Sequence, residues 1–443
     1  MAGGQLNAKS RPENLPDPSD GRLLDLVQRQ TLNYFWDFGH PVSGMARERS
    51  NPVVGYDYQH TVCTGGTGFG IMALLAGAER GFLPRAAVLD RIRKIIAFLE
   101  RAESFHGAFP HFMHGALGAT IPFSAMDDGG DLVETSYLMV GLLCARQFFS
   151  GTARNEENLR DATDRLWHAV EWDWYTRDGR NVLYWHWSPR HQWLMNHAIT
   201  GWNECLVTYV LAAASPTHAI APSAYHQGWT DSPVFRNGRS YYGIELPLGP
   251  ACGGPLFFSQ YSFLGLDPRG LRDRYANYWQ QNLSHTLINR AHCIANPNRF
   301  AGYGEDCWGL TACDGDAGYG AFCPTNDRGV IAPTAALSSM PYTPDESMRV
   351  LQYMYRNLGP SAASAYGFVD AMNLSRNWFA KSNLAVDQGP IVVMLENYRS
   401  GLLWDLFMSC TEVLSGLGRL GFDRLAPAND RRNAIAGIIP VRQ

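Results

Sequence analysis

Apolar residues recur at helical spacing along most of the chain. Between Leu23 and Phe38 they fall at Leu24, Val27, Tyr34, Phe35 and Phe38, one face of a 3.6-residue period. The same periodicity predicts helices over Gly68–Ala78, Ala86–Ala102 (opened by Pro84), Leu132–Phe149, Asn158–Trp172 and Trp193–Ala213. Further on it predicts Phe257–Leu264, Leu271–His285, Pro333–Met340, Asp345–Asn357, Pro390–Asn397 and Leu402–Leu414. Helix follows helix with no strand–helix alternation, which argues an all-α fold. Twelve such segments in six pairs suggest an (α/α)6 barrel, a toroid of paired helices. Short connectors such as Pro341–Pro344 alternate with long Gly-rich loops, Ser215–Gly243 and Pro297–Ile331. Loops of that length are more than connectors, and short β segments are expected in them.

Residues 1–20 are polar and Pro-rich and read as an N-terminal arm. Residues 21–425 read as one catalytic domain and 426–443 as a C-terminal tail, since nothing between them resembles a linker. A formal net charge of −4 leaves no basic surface for nucleic acid, and no apolar run is long enough to span a bilayer. The first residues lack an apolar segment of the kind that directs export, which is consistent with a cytoplasmic protein or a mature form. Of nine cysteines, Cys63, Cys144, Cys205 and Cys410 sit in apolar contexts and read as small buried hydrophobes. Cys307, Cys313 and Cys323 share one loop without zinc spacing, and a local disulfide is conceivable there.

The segment M-D-D-G-G-D-L-V-E-T, residues 126–135, gathers Asp127, Asp128, Asp131 and Glu134, with no Lys or Arg between Arg101 and Arg146. An apolar run follows at once, so these acids stand unpartnered at the edge of a buried helix. A helix N-terminus stabilises negative charge, which suits an ionised base; capping alone would explain Asp131 followed by Glu134 as well. Glu204, in G-W-N-E-C-L-V, sits in an apolar setting that should raise its pKa, as a general acid requires. Acid and base of opposite tuning are what glycosidic cleavage demands.

A third cluster, residues 303–316, places Glu305, Asp306, Asp314 and Asp316 around Trp308, although turn chemistry accounts for the aspartates nearly as well. In residues 385–404, Asp387 precedes Pro390 and could be only a cap. Glu396 and Arg399 have the spacing of an ordinary i,i+3 pair. Aromatic residues in polar loops, among them Trp185, Trp187, Trp308 and Tyr319, suit the C–H faces of sugar rings. Other chemistries fit less well. G-G-T-G-F-G at 65–70 lacks a strand context and a lysine, His111 and His114 lack a third metal ligand, and no G-x-S-x-G elbow occurs. No metal or cofactor is expected; the expected partner is a polysaccharide or oligosaccharide substrate, not nucleic acid or membrane, and the chain is expected to be a monomer.

These motifs resemble the glucoamylase-like domain, in particular glycoside hydrolase family 144, bacterial endo-β-1,2-glucanases. The resemblance runs from about Leu23 to Phe422. It is carried by D-D-G-G-D-L-V-E-T, W-H-W-S-P, G-G-P-L-F-F-S-Q-Y-S-F-L-G-L-D-P-R, Y-G-E-D-C-W-G-L-T-A-C-D-G, V-I-A-P-T-A-A-L-S-S-M-P-Y-T-P and D-Q-G-P-I-V-V-M-L-E-N-Y-R-S-G-L-L-W. It implies an (α/α)6 barrel, inversion at the anomeric centre and a periplasmic or secreted setting. It places Asp127, Asp131 and Glu134 in the acidic motif of the cleft, Glu204 as the acid, and Asp387 in the D-Q-G-P motif. The base is left open among Asp131, Glu134 and Asp387. Trp185, His186, Trp187, Glu305, Trp308, Asp314, Tyr319, Glu396 and Arg399 are the expected substrate contacts. The function expected is endo-acting hydrolysis of β-1,2-glucan. The alternatives are exo release of sophorose or glucose, another glucan linkage, or a glucan-binding or transglycosylating relative.

Overall fold

The structure, a computed structural model, describes residues 19–53 and 55–424. The predicted arm, apart from its last two residues, and the predicted tail lie outside the described residues. Helices dominate: α1 (Asp20–Trp36), α2 (Thr64–Glu79), α3 (Arg85–Leu99), α4 (Leu132–Phe148), α5 (Arg154–Ala169), α6 (Leu206–Ala214), α7 (Tyr278–Ala295), α8 (Pro333–Leu337), α9 (Pro344–Tyr353), α10 (Ala385–Arg399), α11 (Leu402–Met408) and α12 (Thr411–Arg419). The strands are short and lie in the loops, in one three-stranded and several two-stranded sheets.

Two kinds of helix alternate. In α3 the buried residues Val88, Leu89, Ile92, Ile95, Ile96 and Leu99 keep helical spacing, leaving the other face to water. In α2 every residue from Thr64 to Gly77 is buried, and α4, α6 and α10 are buried nearly all round. A helix apolar on every side must be enclosed by others. α2 packs most extensively on α4 and then on α10; α4 touches α6, α10 touches α8, and α1 covers α2 and α10.

Glycines set the α2–α4 distance. A Cβ on Gly68 would lie 2.1 Å from the Tyr137 carbonyl oxygen, and one on Gly141 would lie 2.3 Å from the Gly68 carbonyl oxygen. G-G-T-G-F-G is therefore a packing seam inside a helix rather than a phosphate loop.

The elements differ from the sequence reading where apolar content misled. Trp193–Cys205 is irregular, and only Leu206–Ala214 of the expected Trp193–Ala213 helix forms. Phe257–Leu264 folds as two 3₁₀ turns, Leu256–Ser259 and Tyr261–Leu264. The helix expected from Leu271 begins at Tyr278, because Leu271–Arg272 pairs with Asp423–Arg424 as a strand. Leu402–Leu414 is two helices broken at Ser409–Cys410. α10 starts five residues before Pro390, which makes that proline interior. All nine cysteines are free, so the suggested loop disulfide does not form.

Candidate active site

The N-termini of the enclosed helices α2, α4, α6 and α10 each carry, or lie against, a candidate carboxylate. Asp131 is the N-cap of α4: its Oδ1 accepts from the Val133 and Glu134 amides at 3.0 and 2.9 Å. Its Oδ2 accepts from Trp185 Nε1 at 3.1 Å and from His111 Nδ1 at 3.0 Å. With both oxygens engaged and no exposure, Asp131 organises its neighbours. The capping that the sequence offered as an alternative is therefore present, and the same carboxylate also holds His111 and Trp185.

Glu134 lies one turn on. Its Oε2 accepts from the Gly65 amide at the start of α2 at 2.7 Å, and Oε1 is 4.0 Å from His111 Nε2. A Cβ on Gly65 would fall 2.6 Å from that Oε2, so the contact needs glycine. Burial raises the Glu134 pKa; the positive field of His111 opposes this, and Asp131 adds to it. His111 is held between the two acids. Burial alone would depress it, but Glu134, the Asp131 hydrogen bond and Asp127 lift it to about 9, so it stands as an imidazolium at neutral pH.

Asp127 is 7% exposed, and burial followed by the Asp131 charge pushes its pKa to about 7. Its Oδ1 finds no hydrogen-bond donor and sits 3.3 Å from His186 Nε2, which accepts from the Gly129 amide at 3.1 Å. His186 is held largely neutral by burial. The antiparallel pairing of Gly130–Asp131 with His186–Trp187 brings the W-H-W motif to the acidic motif, Asp131 opposite His186. His111, Asp127 and Asp131 offer three ligand atoms within 4.8 Å of one another. With His111 Nδ1 donating to Asp131, that trio reads as a hydrogen-bonded ion array.

Glu204 lies in the turn two residues before α6, not inside a helix. Its backbone carbonyl accepts from the Ser262 hydroxyl, and from Tyr137 Oη at 3.4 Å. Burial raises its carboxyl to about 7, with Glu134 and Asp131 adding to the effect. A carboxyl so tuned holds a proton at neutral pH and can surrender it.

A second group surrounds Asp387, the third residue of α10. Asp387 and Asp370 are each 1% exposed and lie within hydrogen-bond reach of one another. Asp387 Oδ2 and Asp370 Oδ1 find no donor among the described residues. Two buried carboxyls that close must share a proton. Burial, then Asp314, lifts Asp370 to about 7, and burial, then Asp370, raises Asp387 well above the usual range. The Asp314 amide donates to Asp370 at 2.7 Å, while the Asp314 carboxylate takes the Ser382 hydroxyl at 2.5 Å and Arg49 at 3.3 Å. Tyr261 ties the two groups together: beyond burial, Asp387, Tyr319, Glu134 and Glu204 all raise its pKa.

Several expected substrate contacts lie elsewhere. Trp308 has no exposure and belongs to the core beside α8, so it offers no platform. Glu305 is 65% exposed and 3.6 Å from Arg349 on an outer surface. Glu396 does not pair with Arg399: it is fully buried and grips Arg80 at 2.7 and 3.0 Å, while Arg399 reaches Asp25 and Gln28 of α1. Trp185 and Trp187 border the acidic motif, Trp185 stacked on His197 and Trp187 edge-on to His106. Tyr319 presents a ring 56% exposed. His111, weighed in the sequence only as a metal ligand, and Asp370, not singled out at all, are the residues the sequence reading missed. A histidine 20 positions from Asp131 and an aspartate 17 positions before Asp387 carry no local signal.

Buried carboxyls with raised pKa values, gathered about the N-termini of enclosed helices and bordered by Trp185 and Trp187, suit acid–base chemistry. The Glycoamylase family model (“Putative glucoamylase”) matches residues 196–411. An endo-β-1,2-glucanase from Chitinophaga pinensis, solved with sophorotriose and glucose, is 52% identical with a TM-score of 0.90; 92% of this chain and 99% of that one are covered. An exo β-1,2-glucooligosaccharide sophorohydrolase (non-reducing end) from Parabacteroides distasonis is 45% identical over 423 residues, covering 91% of this chain. The chain spans 58% of that relative's length. An endo-β-1,2-glucanase from Talaromyces funiculosus, solved with β-1,2-glucan, shares the fold alone: 11% identity, TM-score 0.60, 91% of each chain covered. The chain belongs to the glucoamylase-like family of these bacterial β-1,2-glucanases, glycoside hydrolase family 144. One expectation is overturned here. The motifs implied endo action, yet a relative 45% identical over 91% of the chain is an exo enzyme, so those motifs do not specify cutting within the polymer.

Proposed function

We propose that this chain hydrolyses β-1,2-linked glucooligosaccharides from a chain end, releasing sophorose. The observation that carries this reading is the 45% identity to the sophorose-releasing relative, extending over 91% of the chain. Tuning of the carboxyls supports the chemistry. Glu204, lifted to about 7, protonates the leaving oxygen. Glu134, whose burial-raised pKa is opposed by the His111 imidazolium and the Gly65 amide, takes the proton of a water on the opposite face of the sugar, with inversion. Asp131 positions His111 and Trp185, and the Asp370–Asp387 pair hydrogen-bonds sugar hydroxyls through its shared proton. Enclosed helices α2, α4, α6, α8 and α10, with the 3₁₀ turns Leu256–Ser259 and Tyr261–Leu264 in the sixth place, form the inner ring of an (α/α)6 toroid, a reading supported by the return of α10 onto α2.

Incubation with β-1,2-glucooligosaccharides of defined length, followed by chromatography, tests this. Disaccharide as the sole early product, abolished in Glu204→Gln, supports the proposal. A ladder of mixed lengths from the first time point overturns it.

A further inference from the structure

A cavity of about 720 Å³ opens beside the Asp370–Asp387 group, walled by the loop 315–328 and the turn at Arg376. That volume is in the range that encloses a small-molecule ligand. Two features join it to the carboxylates. The Asp314 amide donates to Asp370, and the next residues, Gly315 and Asp316, line the cavity. Tyr319 lines it too, a residue 56% exposed, and burial followed by Asp387 and Asp370 raises the pKa of its hydroxyl. Tyr319 therefore lies on the cavity wall within the electrostatic reach of the two buried aspartates.

The walls are built rather than loose. Asp316 accepts from Arg376 at 2.8 Å and from Asn373 at 3.1 Å; Asn373 also donates to the Arg328 carbonyl at 3.2 Å. Asp327 accepts from His292 at 2.8 Å, Tyr303 at 2.7 Å and the Gly329 amide at 3.0 Å, so its charge is used internally. Asn326 donates to the Ala321 carbonyl at 3.0 Å. The Arg328 guanidinium has no hydrogen-bond or ion-pair partner among the described residues. What faces the cavity is one aromatic face, amide groups, a neutralised Arg–Asp pair and one free planar donor. That set suits uncharged polyhydroxyl rings.

We propose that this cavity binds the glucosyl units of a β-1,2-glucooligosaccharide that extend beyond the cleavage site, with Tyr319 as the stacking surface and Arg328 as the hydrogen-bonding anchor. This rests on the carbohydrate reading above and adds the place where chain length is sensed.

Calorimetric titration of Glu204→Gln protein with three-unit and six-unit β-1,2-glucooligosaccharides measures binding without turnover. The six-unit chain should bind more tightly. Adding Arg328→Ala or Tyr319→Ala should shrink the six-unit to three-unit affinity ratio by about tenfold, the loss expected for a charged hydrogen bond or a stacked ring. Arg328 is exposed, so its variant tests the site without disturbing the core. An unchanged ratio in both variants, or no length dependence at all, overturns the proposal. The separate cleavage assay on wild type reports on the hydrolase reading, so the two can fail independently.

Discussion

His111 couples the charge of the candidate active site to the stability of the fold, and replacing it by glutamine makes that coupling measurable. The ring is 21% exposed and lies 3.0 Å from Asp131 and 4.0 Å from Glu134. Its pKa of about 9, against an ordinary 6.5, corresponds to roughly 3 kcal/mol favouring the folded state. Because the folded-state value is the higher one, the folded protein keeps a proton that the unfolded chain releases. The stabilisation is complete below about pH 6.5, declines as pH rises, and is lost above about pH 9. Denaturant unfolding of wild type and His111→Gln across pH 6 to 10 should therefore show a gap near 3 kcal/mol at pH 6 that closes towards pH 10. Proton NMR of the His111 ring should show titration near 9. A stability gap independent of pH, or titration near 6.5, would refute the ion array. The variant should also move the acidic limb of the activity profile upward, because Glu134 loses the cation that favours its ionised form.

If Glu204 is the acid, activity should fall about tenfold per pH unit above roughly 7, where that carboxyl loses its proton. Glu204→Gln should lower kcat by about 10²–10⁴-fold while leaving the melting curve in place. Gly68→Ala drives a methyl to 2.1 Å from the Tyr137 carbonyl oxygen and should cost about 3 kcal/mol or more, read as a lower unfolding midpoint. Glu396→Ala leaves Arg80 without its buried partner and should cost about 3–5 kcal/mol, yet kcat/KM of the folded fraction should hold, since Glu396 faces α1 and the end of α2.

The sequence shows what is local. Helix α4, its acidic cap and the amphipathic α3 were readable because period and capping act within a few residues. Glu204 was legible as a carboxyl in apolar company, but its place in a turn was not. Trp193–Cys205 has the apolar content of a helix, yet most of Trp193–Thr200 is exposed or half-buried, and apolar content alone does not separate a loop from a helix. Glu396 and Arg399 have a good pair spacing, and each instead found a partner on a different helix. Trp308 had the company of a sugar-binding loop and is packed into the core. Asp370 meets Asp387, and His111 meets Asp131, only because the fold returns distant segments to one place.

Gly65, Gly68 and Gly141 lie along one line of contact between α2 and α4, with Glu134 at its end. The gap between the two backbones therefore fixes how far Glu134 stands from the Gly65 amide. Packing and reactivity share a single ruler. Widening the seam anywhere along it would tilt the carboxylate away from its amide, so on the role proposed for Glu134 a substitution deep in the core would register in the reaction rate as well as in stability.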